Sequence, residues 1–298
     1  MRHVKNSSPK GRFWTVLPNG VIRVAREFKN IAEPYKKESI PNYLGAVDHS
    51  LKIESKKEYK KLLRKVQRRF NKDARLLKQY RLWLMSWLMG RDASGKTGSV
   101  RVMNDALGSD TQLFLGVSFS KPSDEEQAHP WLWKYQKYNF LPSYGQVRVF
   151  DRCPQERVMV ERVRQFTPMS DVQHSYTELR MYEWLLVSQG GIFVKIWQDI
   201  TKEEQKRRFE DREENKIWKK SEDDEIDRGL WDEYTPAANE MIHRTATDYA
   251  PQYIISSEDK KYCHIALLEV LCYEMERRIK QAKRLKKQAE KAKKQEKK

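Results

Sequence analysis

Cysteine is scarce: Cys153, Cys263 and Cys272 are the three in 298 residues. An odd count excludes a fully paired disulfide framework, and no CxxC or Cys/His spacing suggests zinc, so a reducing compartment, the cytoplasm, is expected. Long apolar runs are missing as well. No stretch approaches the roughly eighteen uninterrupted apolar residues of a membrane helix, and no signal-peptide core stands out, which predicts neither a membrane span nor export by that route. Acidic side chains are absent from the first 26 residues. That bias imitates an organelle transit peptide, but a flexible or edge-strand N-terminus is the preferred reading. No internal repeat is visible.

What is abundant is positive charge, a net +17, and its distribution matters. Residues 277–298 hold twelve Lys/Arg against two Glu, and residues 1–30 hold seven against one, so the body between them is close to neutral. A duplex-binding face would put the excess on the folded body, so nucleic acid is not the expected main partner. The 39% hydrophobic content and nine tryptophans indicate a globular chain, and 34% charged residues favour helix. The length suits one large α/β domain with appendages or two small domains.

The most informative stretch is the apolar run Leu82 to Met89 emptying into Gly90-Arg91-Asp92-Ala93-Ser94-Gly95-Lys96-Thr97, followed by Gly98. Every fixed position of the phosphate-cradling P-loop pattern is filled. The chemistry needs glycines that let backbone N–H groups close on phosphate oxygens, a helix N-terminus whose dipole favours anions, and a lysine that reaches the distal phosphates. A structural glycine turn has the same look, so context counts. A strand-like run precedes the loop, a helical pattern follows, and a second apolar strand, Val147 to Phe150, ends in Asp151, where such folds hold Mg²⁺. Thr97 adds the usual P-loop hydroxyl for that ion.

In chain order, Phe13 to Val24 reads as a hairpin turning at Asn19-Gly20, and 30–53 as an extended connector. Ser55 to Tyr80 is predicted as a long amphipathic helix whose basic face reads as solvated surface. Strands are predicted near 82–89, 113–119, 147–150, 192–197 and 253–255. Helices are expected near 125–140, 156–165, 176–188 and 231–243 and from Lys261, with a charged helix opening at the Thr201-Lys202-Glu203-Glu204 capping box and leading into a mobile lid. The fold class is therefore α/β: a P-loop three-layer α/β/α sandwich around a mostly parallel five-stranded sheet. The divisions are a hairpin and connector at 1–54, the P-loop domain at 55–280 with its lid about 203–231, and a basic low-complexity tail at 281–298.

The colinear order of motifs resembles the polyphosphate kinase 2 family, which is similar in fold to the nucleoside monophosphate kinases. The likeness is carried by Gly90 to Lys96, Lys121-Pro122-Ser123-Asp124-Glu125-Glu126 with Ala128-His129 and Leu132-Trp133, Phe150-Asp151-Arg152, Glu156 and Val160-Glu161-Arg162-Val163. It continues through Glu203 to Phe209, Trp218-Lys219-Lys220-Ser221, Trp231-Asp232-Glu233-Tyr234, Thr245-Ala246-Thr247, Ala250-Pro251-Gln252-Tyr253 and Asp259-Lys260. The resemblance implies Mg²⁺-dependent phosphoryl transfer between inorganic polyphosphate and a nucleoside mono- or diphosphate, by an enzyme that tends to self-associate. It implies that Lys96 and the loop from Gly90 through Arg91, Ala93, Ser94, Gly95, Thr97 and Gly98 hold phosphates. Asp92 and Asp151 would bind magnesium, Arg152 would contact phosphate beside them, and Arg208 and Arg212 on the lid helix would close over the chain.

Other readings stay open at several positions. Asp92 suits a helix N-cap and Asp151 a strand-end carboxylate. Glu204 and Arg208 are spaced for an ion pair, and His129 between Trp131 and Trp133 reads as a packed histidine. Cys153-Pro154-Gln155 stands where the family has a serine, then an aromatic or histidine, then a tyrosine, which puts the rate or substrate choice in question; Cys153 itself is expected to be inert. The rival functions are a P-loop kinase with a nucleoside triphosphate donor, and a weakened family member that only binds polyphosphate or nucleic acid.

Overall fold

The computed structural model describes residues 13–28, 31–32, 39–137, 140–215, 226 and 229–295, without the side chains of 212, 213 and 215. The strands are β1 (Trp14–Val16), β2 (Ile22–Val24), β3 (Trp83–Gly90), β4 (Phe114–Ser118), β5 (Val147–Asp151), β6 (Gly191–Asp199) and β7 (Gln252–Ser256). The helices are α1 (Lys56–Leu77), α2 (Lys96–Ala106), α3 (Asp124–Gln127), α4 (Val160–Val163), α5 (Met169–Ser188), α6 (Lys202–Asn215), α7 (Trp231–Thr245) and α8 (Lys260–Gln295).

Strand β3 shows why the chain builds three layers. Strict alternation sends Leu84 and Leu88 to one face and Trp83, Met85, Trp87 and Met89 to the other, and all are buried. A strand apolar on both faces needs helices on both sides. One core packs α1, α2 and α8 on the Leu84 face through Phe70, Met103 and Leu271. The other packs α5 and α7 on the Trp87 face through Tyr176, Leu179 and Met241.

The sheet order is β1-β2-β7-β6-β3-β5-β4. The last five in that order pair parallel, so Gly90, Asp151, Asp199 and Ser256 end their strands along one edge, the edge where such sheets bind ligands. The five predicted strands are all formed. Among the described residues the sheet nevertheless has seven, because the β1–β2 hairpin adds to it through β2, antiparallel to β7 with Ile22 opposite Ile254.

The helix expected over 125–140 is not formed. Regular structure stops after Gln127, Pro130 removes an N–H and disfavours helix before it, and only a 3-10 turn follows at Trp133–Tyr135. The helix expected over 156–165 is likewise broken into a 3-10 turn, Pro154–Val158, and short α4, with Met159 at φ −125°, ψ −80° between them. Helix α5 starts earlier than expected, at Met169 directly after Pro168. Among the described residues no helix is long and apolar enough to cross a membrane.

Candidate active site

The loop between β3 and α2 is shaped by two glycines. A Cβ on Gly90 would lie 2.3 Å from the Gln198 carbonyl oxygen, and Gly95 caps α2 at φ +99°. Behind Gly95, the N–H groups of Lys96 and Thr97 belong to the first helical turn, where no intrahelical acceptor exists. Lys96 Nζ lies back across the loop, donating to the Gly90 and Arg91 carbonyls at 3.3 Å each. Asp92 Oδ1 accepts from Ala93 N at 2.7 Å, and Ala93 sits at φ 60°. Ser94 is buried, and its carbonyl accepts from Ser257 Oγ at 2.5 Å.

Arg91, expected among the phosphate-binding residues, is committed elsewhere. Its N–H donates to Gln198 O at 3.2 Å. Its buried guanidinium donates to Asp199 Oδ1 at 3.2 Å and Thr235 Oγ1 at 3.0 Å, and stacks 3.8 Å over Trp231. Asp199 also accepts from Trp197 Nε1 at 2.8 Å and faces His49 at 3.2 Å, which raises the His49 pKa. The loop thus rests on a buried polar cluster.

Across the cleft, Asp151 ends β5 with Oδ1 buried and no hydrogen-bond partner among the described residues. Arg152 follows at φ 59° and is exposed. Glu156, part-buried, belongs to the family likeness, which implies no role for it. Burial pushes its carboxyl up to about 7, against the opposing pull of Arg152, Lys96 and Lys134, so it shares the site with the loop lysine. Its signal in the sequence is its place one turn beyond Asp151. Cys153, Pro154 and Gln155 are buried and face the core: Gln155 Nε2 donates to Thr245 Oγ1 at 2.8 Å and Gln252 Oε1 at 3.3 Å. Burial drives the Cys153 thiol pKa well up, as expected of an inert cysteine.

Helix α6 is docked on the loop through its first half. Phe209 is buried, Gln205 Nε2 donates to Asp92 O at 3.1 Å, and Arg208 donates to Ala93 O at 3.0 Å and Ser257 O at 2.6 Å. Arg208 Nε also meets Glu204 at 2.5 Å, so that ion pair exists, but as part of a clamp. The Arg212 side chain and, of the expected lid, residues 216–225, 227 and 228, with Trp218 and Ser221, lie outside the described residues.

These parts open onto a cleft of about 1420 Å³. Its lining includes the cations Arg101, Lys121 and Lys260, and also Trp131, Arg157, Arg164 and Phe166. Phe166 is 59% exposed with the Arg164 guanidinium 5.1 Å from its ring, and Arg157 lies 5.5 Å over Trp131. His129 is not packed inside: it is exposed at the rim, stacked 4.1 Å from Trp133. Among the described residues no group of three or more His, Cys, Asp or Glu could hold a metal by itself. Asp92 and Asp151 both line the cleft, and magnesium commonly takes one or two carboxylates with phosphate and water completing its shell. The unpartnered Asp151 Oδ1 fits that demand.

A family profile described as Polyphosphate kinase 2 matches residues 53–283. A polyphosphate:AMP phosphotransferase of Pseudomonas aeruginosa is 35% identical over 190 residues, covering 63% of this chain and 38% of that protein. An AMP/ADP-polyphosphate phosphotransferase of Meiothermus ruber is 32% identical over 63% of this chain and 70% of its own length. A crystal structure of polyphosphate kinase 2 from Arthrobacter aurescens superposes with TM-score 0.72 at 30% identity, covering 83% of this chain and 90% of that one. The chain therefore spans well under half of the Pseudomonas relative.

Proposed function

The chain belongs to the polyphosphate kinase 2 family, and on that premise we propose that it moves phosphoryl groups between inorganic polyphosphate and a nucleoside mono- or diphosphate, with magnesium. The observation that carries the reading is the convergence on one cleft of the glycine loop with Lys96 and of Asp151, Arg152 and Glu156 from the neighbouring strand end. Phosphoryl transfer needs positioning and cationic stabilisation more than covalent chemistry, and this set supplies both.

In the proposed reaction the first-turn N–H groups of Lys96 and Thr97 hold phosphate oxygens. Lys96 exchanges the Gly90 and Arg91 carbonyls for the transferring phosphate, and Arg152 contacts it from the opposite strand end. Asp92, Asp151 and the Thr97 hydroxyl are the residues that would hold magnesium, which when bound neutralises charge on the phosphate oxygens. The family's phosphotransferases are in general divalent-metal dependent. The acceptor nucleotide is assigned to the lining residues Trp131 and Phe166, where a flat base would meet aromatic faces, with Arg157 and Arg164 for its phosphates. The polyphosphate is assigned to the lining cations Arg101, Lys121 and Lys260. Because Cys153, Pro154 and Gln155 face the core, their departure from the family pattern strips no group from the cleft wall, which weighs against a binding-only member. The proposed compartment is the cytoplasm, supported by three unpaired, buried thiols and a nucleotide substrate.

The test mixes purified protein with long-chain polyphosphate, Mg²⁺ and each nucleoside mono- or diphosphate in turn, with Lys96→Ala and Asp151→Asn as controls. New di- or triphosphate from the wild type, absent from both folded variants, is the expected result. No product with any acceptor, or full activity in either variant, overturns the reading.

A further inference from the structure

Helix α1 carries ten Lys/Arg and two acidic residues in 22 positions. Some of that charge is answered within the chain: Arg69 pairs with Glu276 at 2.6 Å, and Arg75 donates to Asn71 at 2.7 Å. Lys60, Arg64, Arg68 and Lys72 are different. All four are exposed, and among the described residues none enters a hydrogen bond or ion pair. Spaced four apart, they form one ridge about 18 Å long at ~1.5 Å of rise per residue. Like charges at i,i+4 destabilise a helix, so an uninterrupted cationic ridge is a poor way to make inert surface.

The ridge is joined to the catalytic cleft. Helix α2 runs parallel to α1, with Gln67 Nε2 donating to Val102 O at 3.3 Å and Asn71 Nδ2 to Ala106 O at 2.7 Å. Arg101, next to Val102, lines the cleft. Tyr59, next to Lys60, hydrogen-bonds at 2.9 Å to His264, which also lines the cleft. Farther out, Arg64, Arg68 and Lys72 wall a groove of about 410 Å³ against Asp105 and Ala106. A single nucleotide is too short to span this row. A nucleic acid strand would want aromatic platforms for its bases, and the groove lining contains none. A linear chain of phosphates matches both the spacing and the chemistry.

We propose that Lys60, Arg64, Arg68 and Lys72 form an exosite that holds the distal phosphates of a long polyphosphate chain whose reacting end lies in the cleft. The proposal rests on the polyphosphate reading of that cleft. It makes the enzyme selective for chain length without touching the reacting phosphate.

The test compares wild type with Arg64→Gln/Arg68→Gln/Lys72→Gln, and with Lys57→Gln/Lys61→Gln/Lys65→Gln, which removes equal charge from the adjacent row. For the first variant, KM for long-chain polyphosphate should rise about tenfold or more, while kcat and the KM for tetraphosphate stay within about twofold. The slope of log affinity for long-chain polyphosphate against log salt should fall by about two, as expected for three lost phosphate contacts. An unchanged long-chain KM and slope overturns the exosite, and so does an equal effect in the adjacent-row variant. Loss of single-stranded RNA binding with polyphosphate binding intact would make the ridge a nucleic-acid surface and overturn it too. Absence of turnover with either chain length in the wild type would refute the activity reading alone, since the salt slope of polyphosphate binding still decides the exosite.

Discussion

The Arg208 guanidinium donates to the Ala93 carbonyl at 3.0 Å, tying the charged helix α6 to the middle of the phosphate loop. A side chain that the family resemblance implies for the moving phosphate is a structural clamp in this fold, because it bridges Ala93, Ser257 and Glu204 at once. Lysine cannot reproduce that planar fork. Arg208→Lys should therefore lower stability by about 2 kcal/mol, as buried carbonyls lose partners, and lower turnover by roughly a hundredfold or more, as expected when transition-state charge stabilisation is lost. Thermal melts beside kcat check this; full loss of rate with an unshifted Tm would assign Arg208 to chemistry alone.

Arg91 and Asp199 make the second clamp. Both are buried, and removing one leaves the other charge poorly answered. Arg91→Ala should destabilise the fold by about 3–5 kcal/mol, the usual cost of breaking a buried pair from one side. Denaturant unfolding measures it, and a loss under about 1 kcal/mol would mean that His49 and Trp197 satisfy Asp199 by themselves.

The loop was legible in sequence because backbone geometry leaves little choice: only glycine fits against the Gln198 carbonyl at position 90. The layers were legible in the alternation of β3. The fate of the arginines was not. Arg91 is buried by Asp199, 108 positions away, and Arg208 by carbonyls 49 and 115 positions away, and charged residues look alike until such partners are known. The raised pKa of Glu156 was not legible either, since it comes from burial in the folded cleft, which outweighs the pull of Arg152 and Lys96. The break at Pro130 could have been read, but the run of aromatics around it masked the proline.

His264 predicts an acid-sensitive fold. Burial, then the nearby Lys260, lowers its pKa from 6.5 to about 4, so the folded protein holds it neutral. A depressed folded pKa contributes stability that is full above the unfolded value and is lost as pH falls from about 6.5 toward 4. His264→Gln should flatten the stability curve over that window. Denaturant midpoints at neutral and mildly acidic pH, for both proteins, provide the check; parallel curves would remove His264 as the source.

Cys153 lies beside an exposed arginine and just before a helical turn, an arrangement that by itself would favour a reactive thiolate. Its Sγ points instead toward Gln155 Oε1, 4.0 Å away inside the core, and burial raises its pKa against the opposing Gln155 backbone hydrogen bond. Cys263 is pushed up to about 11 by burial and Cys272 is raised by the same cause. Since the thiolate is the attacking species, a disulfide reagent at mildly alkaline pH should label none of the three in the native protein within minutes, and all three in denaturant. Rapid labelling of a single native thiol, mapped to Cys153, would turn that side chain toward the cleft and reopen the question of what it does beside Asp151.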